Sequence, residues 1–241
     1  MTATIHKLSI VIPAYNEART IHLILDKINA VQLLNNIEKE VIIVNDCSSD
    51  DTRGAIERYM QQSTLPIVLY NHEVNKGKGA ALYTGIKQAT GELVVIQDAD
   101  LEYDPQEFNV LLKPVLDGFA DVVYGSRFMG GNPHRILFFW HSLGNKMLTM
   151  LSNMFTNLNL TDMETCYKVF RTEMLKQVPL HARRFDFCPE ITMKVLRRGH
   201  VIHEVPIAYS ARTEAQGKKI KWTDAFDAFS ALLRYRFSRD Y

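Results

Sequence analysis

At 241 residues and 46% hydrophobic content, the chain has room for one large α/β domain with a sizeable core, which excludes a disordered polypeptide. A formal net charge of +1 excludes a global field that would recruit nucleic acid, although Lys and Arg gather in the last quarter. Three cysteines, Cys47, Cys166 and Cys188, show no CxxC spacing, which speaks against a disulfide framework or a zinc site and suits a reducing cytosol.

Strand-forming sequence begins almost at once, without the basic head, apolar run and cleavage site of a secretory signal, so the Asn159-Leu160-Thr161 sequon carries no expectation of glycosylation. Residues 8–15, 40–46, 66–71, 92–98 and 121–127 are short, β-branched-rich apolar runs of the kind buried on both faces of a parallel sheet. Between them EARTIHLILDKINAV, SDDTRGAIERYMQQ, GKGAALYTGIKQAT and PQEFNVLLKPVLDG have helical character, so the first half reads as repeated βα units in a doubly wound sheet. Such sheets bind ligands at the carboxyl ends of their strands, where Asn16 and Glu17, Asn45 and Asp46, Asp98 and Asp100, and Ser126 and Arg127 all fall.

Further along, Ile136, Trp140, Leu143, Met147, Met150 and Met154 recur at spacings of four and three, an amphipathic helix with a Met-rich face. Polar residues interrupt it and no run of about 18 apolar residues occurs, so no membrane span is expected. Most of this stripe is expected to pack on its own domain, with Phe138, Phe139 and Trp140 as interfacial anchors wherever a face lies on a bilayer. A last segment carries Trp222, Phe226, Phe229 and Leu233 as an apolar stripe, and Arg234, Arg236 and Arg239 at its end suit the helix dipole and anionic lipid heads equally.

The strand ends offer specific chemistry. In VVIQDADLEYDP, Asp98, Asp100 and Glu102 would crowd one face of an extended segment, and such repulsion points to a hard cation such as magnesium or manganese, or else to a helix cap. Tyr15 and Glu17 suit stacking a base and accepting from ribose hydroxyls, and Asp46 offers an acceptor for a ring N–H; helix starts are the competing use of both acids. Asn75-Lys76-Gly77-Lys78-Gly79 opens a helix with flexible backbone and positive charge, a place for phosphate, yet fits neither GxGxxG nor GxxxxGK[ST]. Lys218, Lys219 and Lys221 around Gly217, with Arg212 upstream, form a basic loop that could close over phosphates.

In order along the chain, VIPAYNE, VNDCSSDDT, NKGKGAAL, QDADLEYDP, GSRF, LTDMETCYKVFR and EVPIAYSARTEAQGKKIKW resemble a family-2 inverting glycosyltransferase of the GT-A fold, similar to the dolichyl-phosphate mannose synthase and polyprenyl-phosphate glycosyltransferase branch. The resemblance implies a single domain over 1–241, with a nucleotide-sugar-binding half (1–127) and an acceptor-side half (128–241). It implies that Asp98 and Asp100 hold the metal against a nucleotide-sugar diphosphate, with Glu102 as a further contact and Ala99 between them. Pro13, Ala14, Tyr15, Glu17 and Asp46 then hold the nucleoside, Lys78, Arg212 and Lys218 serve the diphosphate, and Arg127 lies near the acceptor phosphate. For a saccharide hydroxyl acceptor a base is needed, and Glu190, Asp162 and Glu164 are the carboxylates in view, Glu190 also suiting a first helical turn after Pro189. Transfer to a sugar hydroxyl and an inactive nucleotide-sugar-binding scaffold are the alternatives. Departures from the family pattern are Cys47 and Asp51 where Gly is frequent, and Asp186 and Cys188 in FDFCPE where FGFEPE is frequent. Many polyprenyl-phosphate transferases continue into membrane helices, whereas this sequence stops at Tyr241; the expectation is a cytoplasmic enzyme, with peripheral attachment to the inner face of a membrane open.

Overall fold

The computed structural model describes residues 4–130, 139–184, 186–210 and 224–237. Its centre is a seven-stranded sheet of order β3-β2-β1-β4-β6-β5-β7. The strands are β1 Lys7–Ala14, β2 Glu38–Asn45, β3 Ile67–Asn71, β4 Leu93–Ile96, β5 Val122–Ser126, β6 Lys168–Arg171 and β7 Ile202–Pro206. All neighbours pair in parallel except β6, which runs antiparallel to both β4 and β5. The five strands expected from sequence are present, and β6 and β7 extend them.

Alternation along each strand splits the core into two layers. Leu8, Ile10, Ile12, Leu93, Val95, Val123 and Val169 face one side, with helices α1 Ile21–Ala30 and α4 Phe108–Leu116. Val11, Val94, Ile96, Val122, Tyr124 and Phe170 face the other, with α3 Lys78–Gln88, α6 Thr172–Gln177 and α7 Phe187–Arg197. Each such side chain contributes roughly 1.5–3 kcal/mol on burial. Because both faces are covered, the strands lack the polar alternation of a solvated sheet. The remaining helices are α2 Thr52–Gln62, α5 Phe139–Thr156 and α8 Asp224–Phe237.

Register brings the strand ends level, with Ala14 opposite Asn45 and Asn45 opposite Asn71. Asn45 Nδ2 donates to Asn71 Oδ1 at 2.9 Å. The loops after β1 and β2 are stitched through Asn16, at φ 54°, whose Oδ1 accepts from Ser49 N–H at 2.8 Å. Cys47 stands at φ 57°, which explains why glycine is frequent there; Asp51, at φ −79°, has no such need.

One packing expectation is corrected, on α5, and α8 shows the same arrangement. On α5, Leu143, Met147, Met150 and Met154 are exposed, and Leu148 and Ser152 turn inward instead. On α8, Phe229 and Leu233 are likewise exposed, while Ala231, Leu232 and Tyr235 are buried. An apolar period locates a helix face but not which neighbouring face the domain covers. Ile136, Phe138, Trp222 and Arg239 lie outside the described residues.

Candidate active site

The ends of β1 and β2 form one wall. Pro13 and buried Ala14 are still in β1, and Tyr15 follows with its ring exposed. Glu17 is nearly buried; its N–H donates to Thr52 Oγ1 at 2.8 Å and its Oε2 accepts from Thr20 at 2.7 Å. Asp46 has a task the sequence did not suggest. Its Oδ1 lies 2.7 Å from His72 Nδ1 and accepts from Lys76 N–H, and its Oδ2 accepts from Gly77 N–H at 2.7 Å. The carboxylate therefore anchors the 75–79 loop, rather than being left open for a nucleoside ring.

That loop needs its glycines. Gly77 has φ 92°, and a Cβ on it would stand 2.3 Å from the Arg183 carbonyl oxygen; on Gly79 it would stand 2.5 Å from that of Ala182. Close approach aims Lys78 at the acidic loop, where Nζ lies 2.5 Å from Asp98 Oδ1 and 3.0 Å from Cys166 Sγ. Burial opposes charge on Lys78, but Asp98 and Cys166 outweigh it and hold the amine well above its ordinary pKa.

The three acids do not share one face. β4 ends at Ile96, and Leu101 adopts φ 62°, which breaks the extended alternation. Asp98 is nearly buried, and Asp100 is partly exposed, its Oδ1 accepting from Glu102 N–H at 3.2 Å. Glu102 is nearly buried, its Oε2 accepting from the Tyr209 hydroxyl at 2.8 Å. The expected third metal contact is thus engaged with the segment after β7. Among the described residues no group of three or more His, Cys, Asp or Glu converges as a ready metal site. Asp98 and Asp100 still fit a hard divalent ion, which commonly takes one or two carboxylates and completes its shell with phosphate and water.

Arg127, at the end of β5, is bound bidentately: Nε donates to Asp162 Oδ2 at 2.6 Å and Nη2 to Asp162 Oδ1 at 2.7 Å. Asp162 is fully buried, so its carboxylate orients Arg127 and is not the base it was considered for. The guanidinium also lies 5.1 Å from the Tyr209 ring centre, within cation–π reach. The surrounding turn is pinned from two strands. Glu204 of β7 accepts from Thr161 and Asp162 N–H, and buried Lys168 of β6 donates to the carbonyls of Met163 and Thr165. Neither residue stood out in the sequence, because their work is to satisfy backbone groups and no motif spacing encodes it.

Glu164 is different. Its Oε1 is buried with no hydrogen-bond partner, and burial, only partly offset by Lys168 and Arg127, pushes its carboxyl up to about 7. Glu190 is the opposite case: fully buried, it accepts from His181 and Ala182 N–H and pairs with Lys194 Nζ at 2.7 Å. A base must reach solvent or substrate, so Glu190 serves as a brace for the 181–182 segment, correcting the catalytic expectation. Arg212 and Lys218 lie outside the described residues.

The architecture is that of a GT-A glycosyltransferase. Glucosyl-3-phosphoglycerate synthase from Mycobacterium tuberculosis, solved with Mn2+, uridine diphosphate and glucosyl-3-phosphoglycerate, superposes with a TM-score of 0.74 at 19% identity, covering 95% of this chain and 80% of that one. At that identity the likeness establishes the fold. The sequence settles the rest: residues 9–178 match the Glycosyl transferase family 2 pattern, and the chain belongs to that family and is a glycosyltransferase. It is 32% identical over 239 residues to a dolichyl-phosphate beta-glucosyltransferase of Trichomonas vaginalis, covering 94% of this chain and 72% of that protein. It is 28% identical to a dolichol-phosphate mannosyltransferase of Pyrococcus furiosus, spanning 95% of this chain and 63% of that protein's length. A UDP-N-acetylglucosamine–dolichyl-phosphate N-acetylglucosaminyltransferase of Methanococcus voltae is 25% identical, covering 95% of this chain and 96% of that protein.

Proposed function

We propose that this glycosyltransferase moves a hexosyl group from a UDP- or GDP-sugar to a polyprenyl phosphate at a membrane surface, with magnesium or manganese as cofactor. The observation that carries the reading is the Lys78–Asp98 pair beside partly exposed Asp100, where four strand ends meet. Opposite charges held together there suit a diphosphate and its cation. The relatives named for dolichyl phosphate support the acceptor class. The exposed Leu143, Met147, Met150 and Met154 stripe supports a membrane surface, and among the described residues no helix is long and apolar enough to cross one.

Inversion passes through an oxocarbenium-like transition state while negative charge grows on the departing diphosphate. Asp98 and Asp100 hold the cation, which when bound stabilises that charge as a Lewis acid. Lys78, cationic and 2.5 Å from Asp98, is placed to transfer its hydrogen bonds to a diphosphate oxygen. Tyr15 stacks the base, Glu17 faces the ribose, and Pro13, Ala14 and Ala99 shape the wall between them. Arg127 spends two of its five donors on Asp162 and offers the others to the acceptor phosphate. A phosphate that is largely dianionic near neutral pH attacks without a base, so its positioning is the main requirement.

The test incubates purified protein with labelled nucleotide sugars, undecaprenyl or dolichyl phosphate and manganese, and counts label extracted into organic solvent. Transfer is expected only with metal, and Asp100→Ala is expected to lose roughly a hundredfold or more. Release of nucleoside diphosphate only with oligosaccharide acceptors would reject the lipid assignment and keep the donor.

One observation favours the sugar-hydroxyl alternative: Glu164, unpaired at Oε1 and titrating near neutrality, has the properties of a base. Glu164→Gln separates the two readings. Retained turnover on lipid phosphate fits the first, while a loss of about 10²–10⁴-fold on a saccharide acceptor fits the second.

A further inference from the structure

A cavity of about 400 Å³ opens between α8 and the chain that packs on the 75–79 loop, lined by His181, Arg183, Arg184, Asp186, Ser230 and Arg234. Among the described residues three arginines and one carboxylate line it, and that carboxylate already accepts from Arg184 N–H at 2.8 Å. Such an excess of planar donors fits a phosphate group. The cavity is braced from below. Buried Glu190 accepts from the backbone of His181 and Ala182 on one wall and hydrogen-bonds Tyr235, next to Arg234, on the other. The backbone carrying these groups is thus fixed on both walls, while the Arg183, Arg184 and Arg234 side chains themselves reach solvent.

The rim of the cavity narrows the ligand further. Ser230 and Arg234 lie one turn apart on α8, and the adjoining stripe of the same helix, Phe229, Leu233 and Phe237, is exposed, Phe237 at 79%. A free phosphate has no use for an apolar ridge beside it, whereas an anion carried on an acyl chain uses both. We propose that this cavity binds the phosphate headgroup of an anionic bilayer phospholipid, with the α8 ridge entering the acyl boundary, and so seats the enzyme on the membrane. The proposal concerns attachment and stands whether the transferred sugar ends on a lipid phosphate or on a hydroxyl.

Vesicle flotation tests it, comparing phosphatidylcholine alone, phosphatidylcholine with phosphatidylglycerol, and phosphatidylcholine with polyprenyl phosphate. Wild type is expected to float with the phosphatidylglycerol vesicles, and Arg184→Gln with Arg234→Gln to cut that partition tenfold or more, near what two interfacial arginines contribute. Arg53→Gln with Lys113→Gln removes the same charge from exposed positions elsewhere and should leave the partition unchanged. Glycerol 3-phosphate at millimolar concentration should raise the melting temperature of wild type but not of the cavity variant, whose own melting temperature reports that it is folded. The proposal is overturned by equal flotation of the cavity variant and wild type, by equal loss in the control variant, or by flotation with polyprenyl phosphate alone, which would make the cavity an acceptor subsite.

Discussion

Glu164 and Glu190 illustrate what a carboxylate's surroundings decide. Both stand in motifs that drew attention in the sequence, yet one is satisfied by two backbone donors and a lysine while the other keeps an unpaired oxygen. Sequence cannot separate them, because the partners of Glu190 are backbone groups eight and nine residues upstream in a loop whose path depends on the fold. Cys188 adds to the contrast. Its Sγ lies 3.6 Å from Lys168 Nζ, so an acid there, as in the common family pattern, would pair with that lysine; in this chain Glu164 is the neighbouring carboxylate. The raised carboxyl has a thermodynamic consequence. A folded-state value of about 7, against about 4.3 in an unfolded chain, means that the native state binds the extra proton between those values. Stability contributed by Glu164 is full below the unfolded value and is lost as pH rises through 7. Urea unfolding of metal-free protein at pH 5 and pH 8 should show wild type losing on the order of 1–3 kcal/mol more than Glu164→Gln across that interval. An equal loss in both proteins would mean that the carboxyl titrates normally.

At the level of elements, the βα units were readable because their strands are continuous apolar runs and their helices have clean periodicity, and the acids, Tyr15 and Arg127 fell where those strands end. β6 and β7 were harder. β6 has four residues and enters the sheet between β4 and β5, pairing Phe170 with Val94 and Val122, partners far away in sequence. No local pattern specifies such an insertion. The Lys78 loop lies between these extremes: its glycines and lysines were visible, but its dependence on Asp46 and on the 182–183 backbone was not. That dependence predicts the effect of Gly77→Ala. Positive φ and a Cβ 2.3 Å from the Arg183 oxygen both oppose it, so the variant should lose about 1–3 kcal/mol in denaturant unfolding and weaken nucleotide-sugar binding together. Gly54→Ala is the comparison, since its added Cβ meets the movable side chains of Asp51 and Arg58 and not backbone. Similar losses in both would remove the special role assigned to the loop.

For the whole molecule, the division into a donor half at 1–127 and an acceptor half at 128–241 describes where ligands are expected, and the sheet makes it a poor description of folding. Within the first half β4 and β5 are not neighbours; β6, from the second half, lies between them and bonds to both. β5 also pairs along its length with β7, from Val122 opposite Ile202 to Ser126 opposite Pro206. A fragment ending at residue 127 would leave β4 with an unpaired central edge and β5 without either partner, exposing Val94, Ile96, Val122 and Tyr124. The full chain should therefore unfold in one cooperative transition, with calorimetric and van't Hoff enthalpies equal, although both ligand sites are discontinuous in sequence. Manganese with a nucleoside diphosphate, whose expected contacts lie mostly in the first half, should raise the melting temperature of that single transition, by about 2.7 kcal/mol of added stability at a hundredfold excess over Kd. Two resolved transitions, with only one moved by ligand, would show that the halves fold independently and that β6 contributes little to the pairing that joins them.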